Sequence, residues 1–80
     1  MFHYVYILRS IPFPDRFYEG RTDDLPRRLA EHNRGESQHT SKYRPWKIKT
    51  AVMFSDQAQA DAFERYLKTA SGRAFAKKRL

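Results

Sequence analysis

Residues 2–9 read Phe2-His3-Tyr4-Val5-Tyr6-Ile7-Leu8-Arg9, and the period of two in this stretch decides the fold. On a strand, Phe2, Tyr4, Tyr6 and Leu8 project to one side, and His3, Val5, Ile7 and Arg9 to the other. Apolar or aromatic residues stand on both sides, so the predicted strand is covered on both faces. Val5 and Ile7 suit an apolar core. Tyr4 and Tyr6 can pack their rings and still hold a hydroxyl at the edge of a cleft. Working outward, Ser10 to Arg16 carries Pro12, Pro14 and Asp15 and is a loop. Phe17 to Thr22 returns as a second strand, with an antiparallel hairpin the economical pairing. Alternation puts Tyr18, Gly20 and Thr22 together, so Tyr6 and Tyr18 share a face if the register allows, and the sequence leaves that register open.

The second strand leads into Asp24-Leu25-Pro26-Arg27-Arg28-Leu29-Ala30-Glu31-His32-Asn33. Asp23 or Asp24 is a good N-cap, Pro26 falls in the first turn where a missing N–H costs nothing, and Asn33 with Gly35 supplies the stop. In the predicted helix Arg28 and His32 lie at i and i+4 on one stripe, with Leu25 and Leu29 beside them to hold the helix to the sheet. Paired phenols followed by an arginine and a histidine one turn apart can surround a phosphate if strands and helix pack together. Glu36 to Pro45 is polar and basic, an expected exposed loop. Trp46 to Phe54 resumes strand character. Ser55 or Asp56 caps a second predicted helix over Gln57 to Ala70, with Phe63, Tyr66, Leu67 and Ala70 as its apolar stripe. Ser71-Gly72 is read as its end, and Arg73 to Leu80 as a last short basic helix anchored by Phe75 and Leu80. The order is ββαβαα, an α+β fold with a small three-stranded antiparallel sheet and flanking helices.

The 80 residues allow one domain, 1–80, and one modest core. With no cysteine there is neither a disulfide framework nor a thiolate zinc site, and the three histidines are not at finger spacing. Six phenylalanines, five tyrosines and one tryptophan supply core area instead. Sixteen Lys and Arg against nine Asp and Glu give a formal charge of +7. The excess falls in two blocks. Residues 37–55 contain no acid but carry Lys42, Arg44, Lys47 and Lys49; after Glu64, Arg65, Lys68, Arg73, Lys77, Lys78 and Arg79 are unopposed. A polyanion partner follows, nucleic acid in the first place. No apolar run approaches a membrane span and the N-terminus lacks secretory-signal features, so a cytoplasmic protein without a membrane partner, monomeric by default, is expected.

The chain resembles a GIY-YIG nuclease domain over nearly its whole length, and in particular the short bacterial single-domain branch. Tyr4-Val5-Tyr6 matches the first signature, with Tyr4 where the namesake has glycine. Tyr18-Glu19-Gly20 matches the second, with Glu19 replacing an apolar residue and expected to face solvent. Asp24-Leu25 through Arg28 to His32-Asn33-Arg34-Gly35 matches the helix that follows. The agreement continues in Arg44-Pro45-Trp46-Lys47, Glu64-Arg65-Tyr66-Leu67-Lys68 and Gly72-Arg73-Ala74-Phe75. After Glu64 there is no asparagine, which the larger nucleases carry and the short branch lacks.

The resemblance implies a DNA endonuclease, structure-directed because nothing in the chain reads base sequence. It implies Tyr6 and Tyr18 as the signature tyrosines, one activating or ordering water and the other holding metal-bound water or phosphate. Arg28 would clamp the scissile phosphate, and His32 would assist by proton transfer or hydrogen bonding. Glu64 would be the single protein carboxylate on Mg²⁺ or Mn²⁺. Arg21, Lys42, Arg44, Lys68, Arg73, Lys77 and Lys78 are the expected contacts to nucleic acid, DNA before RNA. Taken singly, each site residue has a plainer reading: Tyr4 and Tyr6 as strand aromatics, Arg28 and His32 as a solvated helix face, Glu64 as an i, i+4 partner of Lys68. A binding module with this fold and little or no catalysis is the alternative function.

Overall fold

A computed structural model describes all residues 1–80. The elements follow in the order β1 (His3–Ser10), β2 (Phe17–Thr22), α1 (Leu25–Asn33), a 3₁₀ turn (Ser41–Tyr43), β3 (Trp46–Phe54), α2 (Gln57–Leu67) and α3 (Ala70–Arg79). The expected ββαβαα order is present as an α+β fold. The sheet is three-stranded and antiparallel with β1 in the centre, order β2-β1-β3. Its two faces are covered by different helices, which is why β1 is apolar on both sides. Val5 and Ile7 join Ala60 and Leu67 in one core cluster, flanked by Phe54, Phe63, Ala76 and Leu80 from β3, α2 and the α3 end. Tyr6 and Leu8 join Trp46 in the other, flanked by Tyr18, Tyr43 and by Leu25 and Leu29 of α1. Two thin cores share one strand. Each fully buried Leu or Ile contributes about 1.5–3 kcal/mol, so β1 is the strand on which both layers depend.

The register sets the site. Tyr6 pairs with Gly20 and Leu8 with Tyr18 across the β1–β2 ladder, so Tyr6 and Tyr18 do share the α1 face. On the third strand the ladder slips between Ile7 and Leu8. Asp24 caps α1 by accepting the Arg27 N–H, and Pro26 occupies the first turn as expected.

Three expectations change. The helical segment read as Gln57 to Ala70 stops at Leu67, and Ser71-Gly72 lies inside α3 rather than between helices. Thr69 provides the reason: its hydroxyl accepts the Gly72 N–H and starts a new helix at Ala70. Gly72 is there for close approach, since a Cβ would run into the Tyr66 carbonyl. The 36–45 segment is not simply exposed; Ser37 and Thr40 are buried and the chain closes over the tyrosine face. Glu19 is half-buried on the α2/α3 face and lines an apolar groove with Phe17, Lys49 and Leu67, away from the tyrosines. No helix is long and apolar enough to cross a membrane.

Candidate active site

β1, β2 and α1 bring Tyr6, Tyr18, Arg28 and His32 together. The Tyr6 and Tyr18 ring centroids are 6.5 Å apart, Tyr18 and His32 5.1 Å, and Tyr6 and His32 5.9 Å. Gly20 makes the room. A Cβ there would meet the Tyr6 hydroxyl and stand 3.1 Å from the Tyr18 ring. The glycine of the second triplet is therefore required by the tyrosine of the first.

His32 is not on a solvated helix face; it is fully buried. Its Nε2 lies 2.9 Å from the Tyr6 hydroxyl and its Nδ1 2.7 Å from the Thr40 hydroxyl. Thr40 is itself fully buried, and its carbonyl accepts the Trp46 indole N–H at 2.7 Å. Asn33, read from sequence only as a helix stop, accepts the Trp46 N–H and donates to the Trp46 carbonyl. Neither Thr40 nor this use of Asn33 is visible in the sequence, because a threonine in a polar run carries no periodicity and an asparagine at a helix end already has a local explanation.

Electrostatics follow the burial. Desolvation pushes the Tyr6 phenol up to about 12, while hydrogen bonding and charge from Arg28 pull it down and the charges of Tyr18 and Glu64 add to the rise. The Glu64 carboxylate, carried by α2, is thus felt at the Tyr6 hydroxyl. Burial, then the Arg28 charge, lowers His32 below its ordinary 6.5, so the imidazole is neutral. Arg28 is one-third exposed and hydrogen-bonds Glu31 at 2.9 Å, which raises its pKa further.

Glu64 takes part in the i, i+4 pair with Lys68 that its spacing suggested, at 3.4 Å. Arg21 is held by Asp61 at 2.6 Å. That ion pair joins α2, one turn before Glu64, to the strand bearing Tyr18. Lys42 sits over the Tyr43 ring and Arg44 packs across Gly35, both on the tyrosine side. Arg73 and Lys77 line the groove on the opposite face of the sheet, with Lys78 exposed nearby on α3. These three are not brought to the tyrosines. No group of three or more His, Cys, Asp or Glu is close enough to hold a metal ion by protein ligands alone.

The model of the GIY-YIG catalytic domain matches residues 2–79. The chain belongs to the GIY-YIG catalytic domain family. Among curated relatives, it is 40% identical over 70 residues to the structure-specific endonuclease subunit SLX1 of Scheffersomyces stipitis, a match covering 79% of this chain and 21% of that protein. It is 42% identical over 76 residues to the SLX1 subunit of Candida dubliniensis, covering 86% of this chain and 27% of that protein. The chain thus spans about a fifth to a quarter of the length of these relatives. Among solved structures, a UPF0213 protein from Bacillus halodurans, determined in solution by NMR, superposes with a TM-score of 0.58 at 29% identity. That match covers 96% of this chain and 81% of the other. Within this GIY-YIG domain Tyr4-Val5-Tyr6 and Tyr18-Glu19-Gly20 form the adjacent strands of the hairpin, and the side chains of Tyr6 and Tyr18 meet over the bare Gly20 backbone.

Proposed function

We propose that this GIY-YIG domain is a metal-dependent endonuclease that hydrolyses phosphodiester bonds in DNA, selecting its substrate by structure. The observation that carries the proposal is the convergence of two phenols, a guanidinium and a buried neutral imidazole on one face, within electrostatic reach of a carboxylate. The name of the SLX1 relatives, structure-specific endonuclease subunits, supports the substrate class. The +7 charge supports a nucleic-acid partner. The match to the Bacillus halodurans chain, over 96% of this chain and 81% of that one, supports residues 1–80 as one folded unit.

Hydrolysis joins a water oxygen to phosphorus and breaks one phosphorus–oxygen ester bond. Arg28 is the group to neutralise the phosphoryl oxygens, since a guanidinium matches their geometry with two parallel N–H bonds. Tyr6 and Tyr18 place hydroxyls where water and a phosphoryl oxygen can be bound. At a pKa of about 12, only about one Tyr6 in 10⁵ is ionised at pH 7. Tyr6 in the free protein is therefore a donor, and a base role requires its own proton to leave first. A single carboxylate fits Mg²⁺ or Mn²⁺ completed by water, so Glu64 is the residue to hold such an ion, which when bound supplies charge neutralisation and a more acidic water.

The test is cleavage of nicked, flapped, branched and single-stranded DNA by purified protein with Mg²⁺ or Mn²⁺. Cleavage that disappears in Tyr6→Phe and Glu64→Ala supports the proposal. DNA binding without cleavage at any metal concentration supports instead a binding module of the same fold.

A further inference from the structure

The chain Thr40–His32–Tyr6 consists of three hydrogen-bonding groups joined by two hydrogen bonds. In its neutral form it carries three hydrogens: one on the threonine hydroxyl, one on the imidazole and one on the phenol. Two are used between the groups. The third must project from one end.

At the Thr40 end it would have nowhere to go. Thr40 is fully buried, its hydroxyl has no hydrogen-bond partner other than His32 Nδ1, and Trp46, also buried, closes that side by donating to the Thr40 carbonyl. A buried hydroxyl hydrogen without an acceptor is disfavoured strongly enough to decide between two tautomers. Tyr6 is buried as well, but its surroundings differ: its ring packs against Tyr18, and the partly exposed Arg28 and Glu64 act on its ionisation, so this end of the chain borders the polar, partly open side on which a carboxylate, water or phosphoryl oxygen can accept the hydrogen.

We infer that Thr40 is a positioning residue: its hydroxyl donates to His32 Nδ1, holds His32 as the Nε2–H tautomer, and so makes His32 a permanent donor to the Tyr6 oxygen. The imidazole then cannot take the Tyr6 proton, because the nitrogen facing Tyr6 already carries one. Its work is to orient the phenol and to stabilise the phenolate when the outward-facing hydrogen departs, as donors set in place before charge develops do elsewhere. The catalytic consequence rests on the endonuclease reading above, whereas the tautomer does not.

Long-range proton–nitrogen correlation on nitrogen-15-labelled protein near neutral pH distinguishes the two ring nitrogens without any substrate. The expected result is a protonated Nε2 and a bare Nδ1 at His32, retained in Tyr6→Phe because Thr40 sets it. A protonated Nδ1 in the wild type overturns the inference, even in a protein that cleaves DNA. A protein that cleaves nothing but shows the Nε2–H form overturns the proposed activity and leaves this assignment standing. In an active protein, Thr40→Val lowers kcat about tenfold or more with KM unchanged, and Thr40→Ser recovers most of it. A folded Thr40→Val that cleaves at the wild-type rate also overturns the inference. If that variant does not fold, the wild-type spectrum and Thr40→Ser decide.

Discussion

The Asn33 carboxamide holds both backbone groups of Trp46, accepting its N–H at 2.6 Å and donating to its carbonyl at 3.0 Å. One side chain thereby ties the end of α1 to the start of β3 and places the neighbouring His32 over the sheet. Asn33→Ala leaves two partly buried backbone groups unpaired and is expected to lower stability by about 2–4 kcal/mol. Asn33→Asp keeps the acceptor and loses the donor, so its unfolding midpoint in urea falls between those of the wild type and Asn33→Ala. A midpoint for Asn33→Asp equal to the wild type would show that only the acceptor matters.

Arg21, an expected contact to nucleic acid, has a partner within the protein. Its ion pair with Asp61 has both side chains about one-third exposed, so solvent screening holds its contribution to about 0.5–1 kcal/mol. Its larger effect is on placement, because α2 carries Glu64 one turn beyond Asp61. Arg21→Ala and Asp61→Ala are therefore expected to reduce cleavage by similar factors, non-additively, with DNA affinity nearly unchanged. Were Arg21 mainly a phosphate contact, Asp61→Ala would free it and tighten binding.

How much can be read without coordinates differs between elements for physical reasons. β1 is legible because a strand buried on both faces shows apolar residues at every position from Val5 to Leu8. α1 is legible from its cap, its Pro26 and its spacing. The α2–α3 junction is not, since Ser71-Gly72 resembles a helix stop and only the packing against the Tyr66 carbonyl shows why a glycine stands inside a helix. At the site, the i, i+4 spacing puts Arg28 and His32 on one stripe, whereas the meeting of Tyr6 with Tyr18 depends on a strand register that the sequence leaves open. Thr40 escapes because its role depends on a tertiary hydrogen bond from a segment of irregular structure, and no local pattern encodes that.

The buried imidazole gives folding stability a pH dependence of known sign. His32 has a folded-state pKa below its unfolded 6.5, so the unfolded chain binds the proton more readily. Its contribution is intact above 6.5 and is lost as pH falls below that value through the folded-state pKa, at up to about 1.4 kcal/mol per pH unit. Urea midpoints of the wild type should drop between pH 7.5 and 5, mostly above the window, opening at the unfolded carboxyl value of 4.5, in which Glu31, held low by Arg28, loses its own contribution. His32→Gln should show a flatter profile over the same interval, and an equally steep one would assign the effect to another group.

The basic α3 lies across the sheet from the tyrosines, so on the endonuclease reading its cations would serve affinity and not chemistry. Replacing Arg73, Lys77 and Lys78 by alanine is expected to weaken DNA binding and to reduce the slope of log affinity against log salt by about one for each phosphate left without its cation. Bound substrate should still be cut at the wild-type rate in single-turnover experiments. A slower single-turnover rate at saturating protein would mean that the DNA path over α3 governs how the phosphate meets Arg28.

Tyr6 joins stability to chemistry in one titration. Its folded-state pKa of about 12 stands above the unfolded 10.0, so the folded protein retains the phenolic proton where the unfolded chain loses it. That contribution is fully present below pH 10 and is lost as pH rises through 12, a difference of about 2–3 kcal/mol for a side chain buried this completely. Ultraviolet titration should therefore show a late-ionising phenol that disappears in Tyr6→Phe, and the stability of the variant should change differently from that of the wild type above pH 10, where only the wild type has this phenol to titrate. Cleavage by Tyr6→Phe should fall by about 10²–10⁴ at neutral pH with the fold retained by circular dichroism. If the late phenol vanished but cleavage did not, the proton-handling role would pass to Tyr18, the other hydroxyl on the same face.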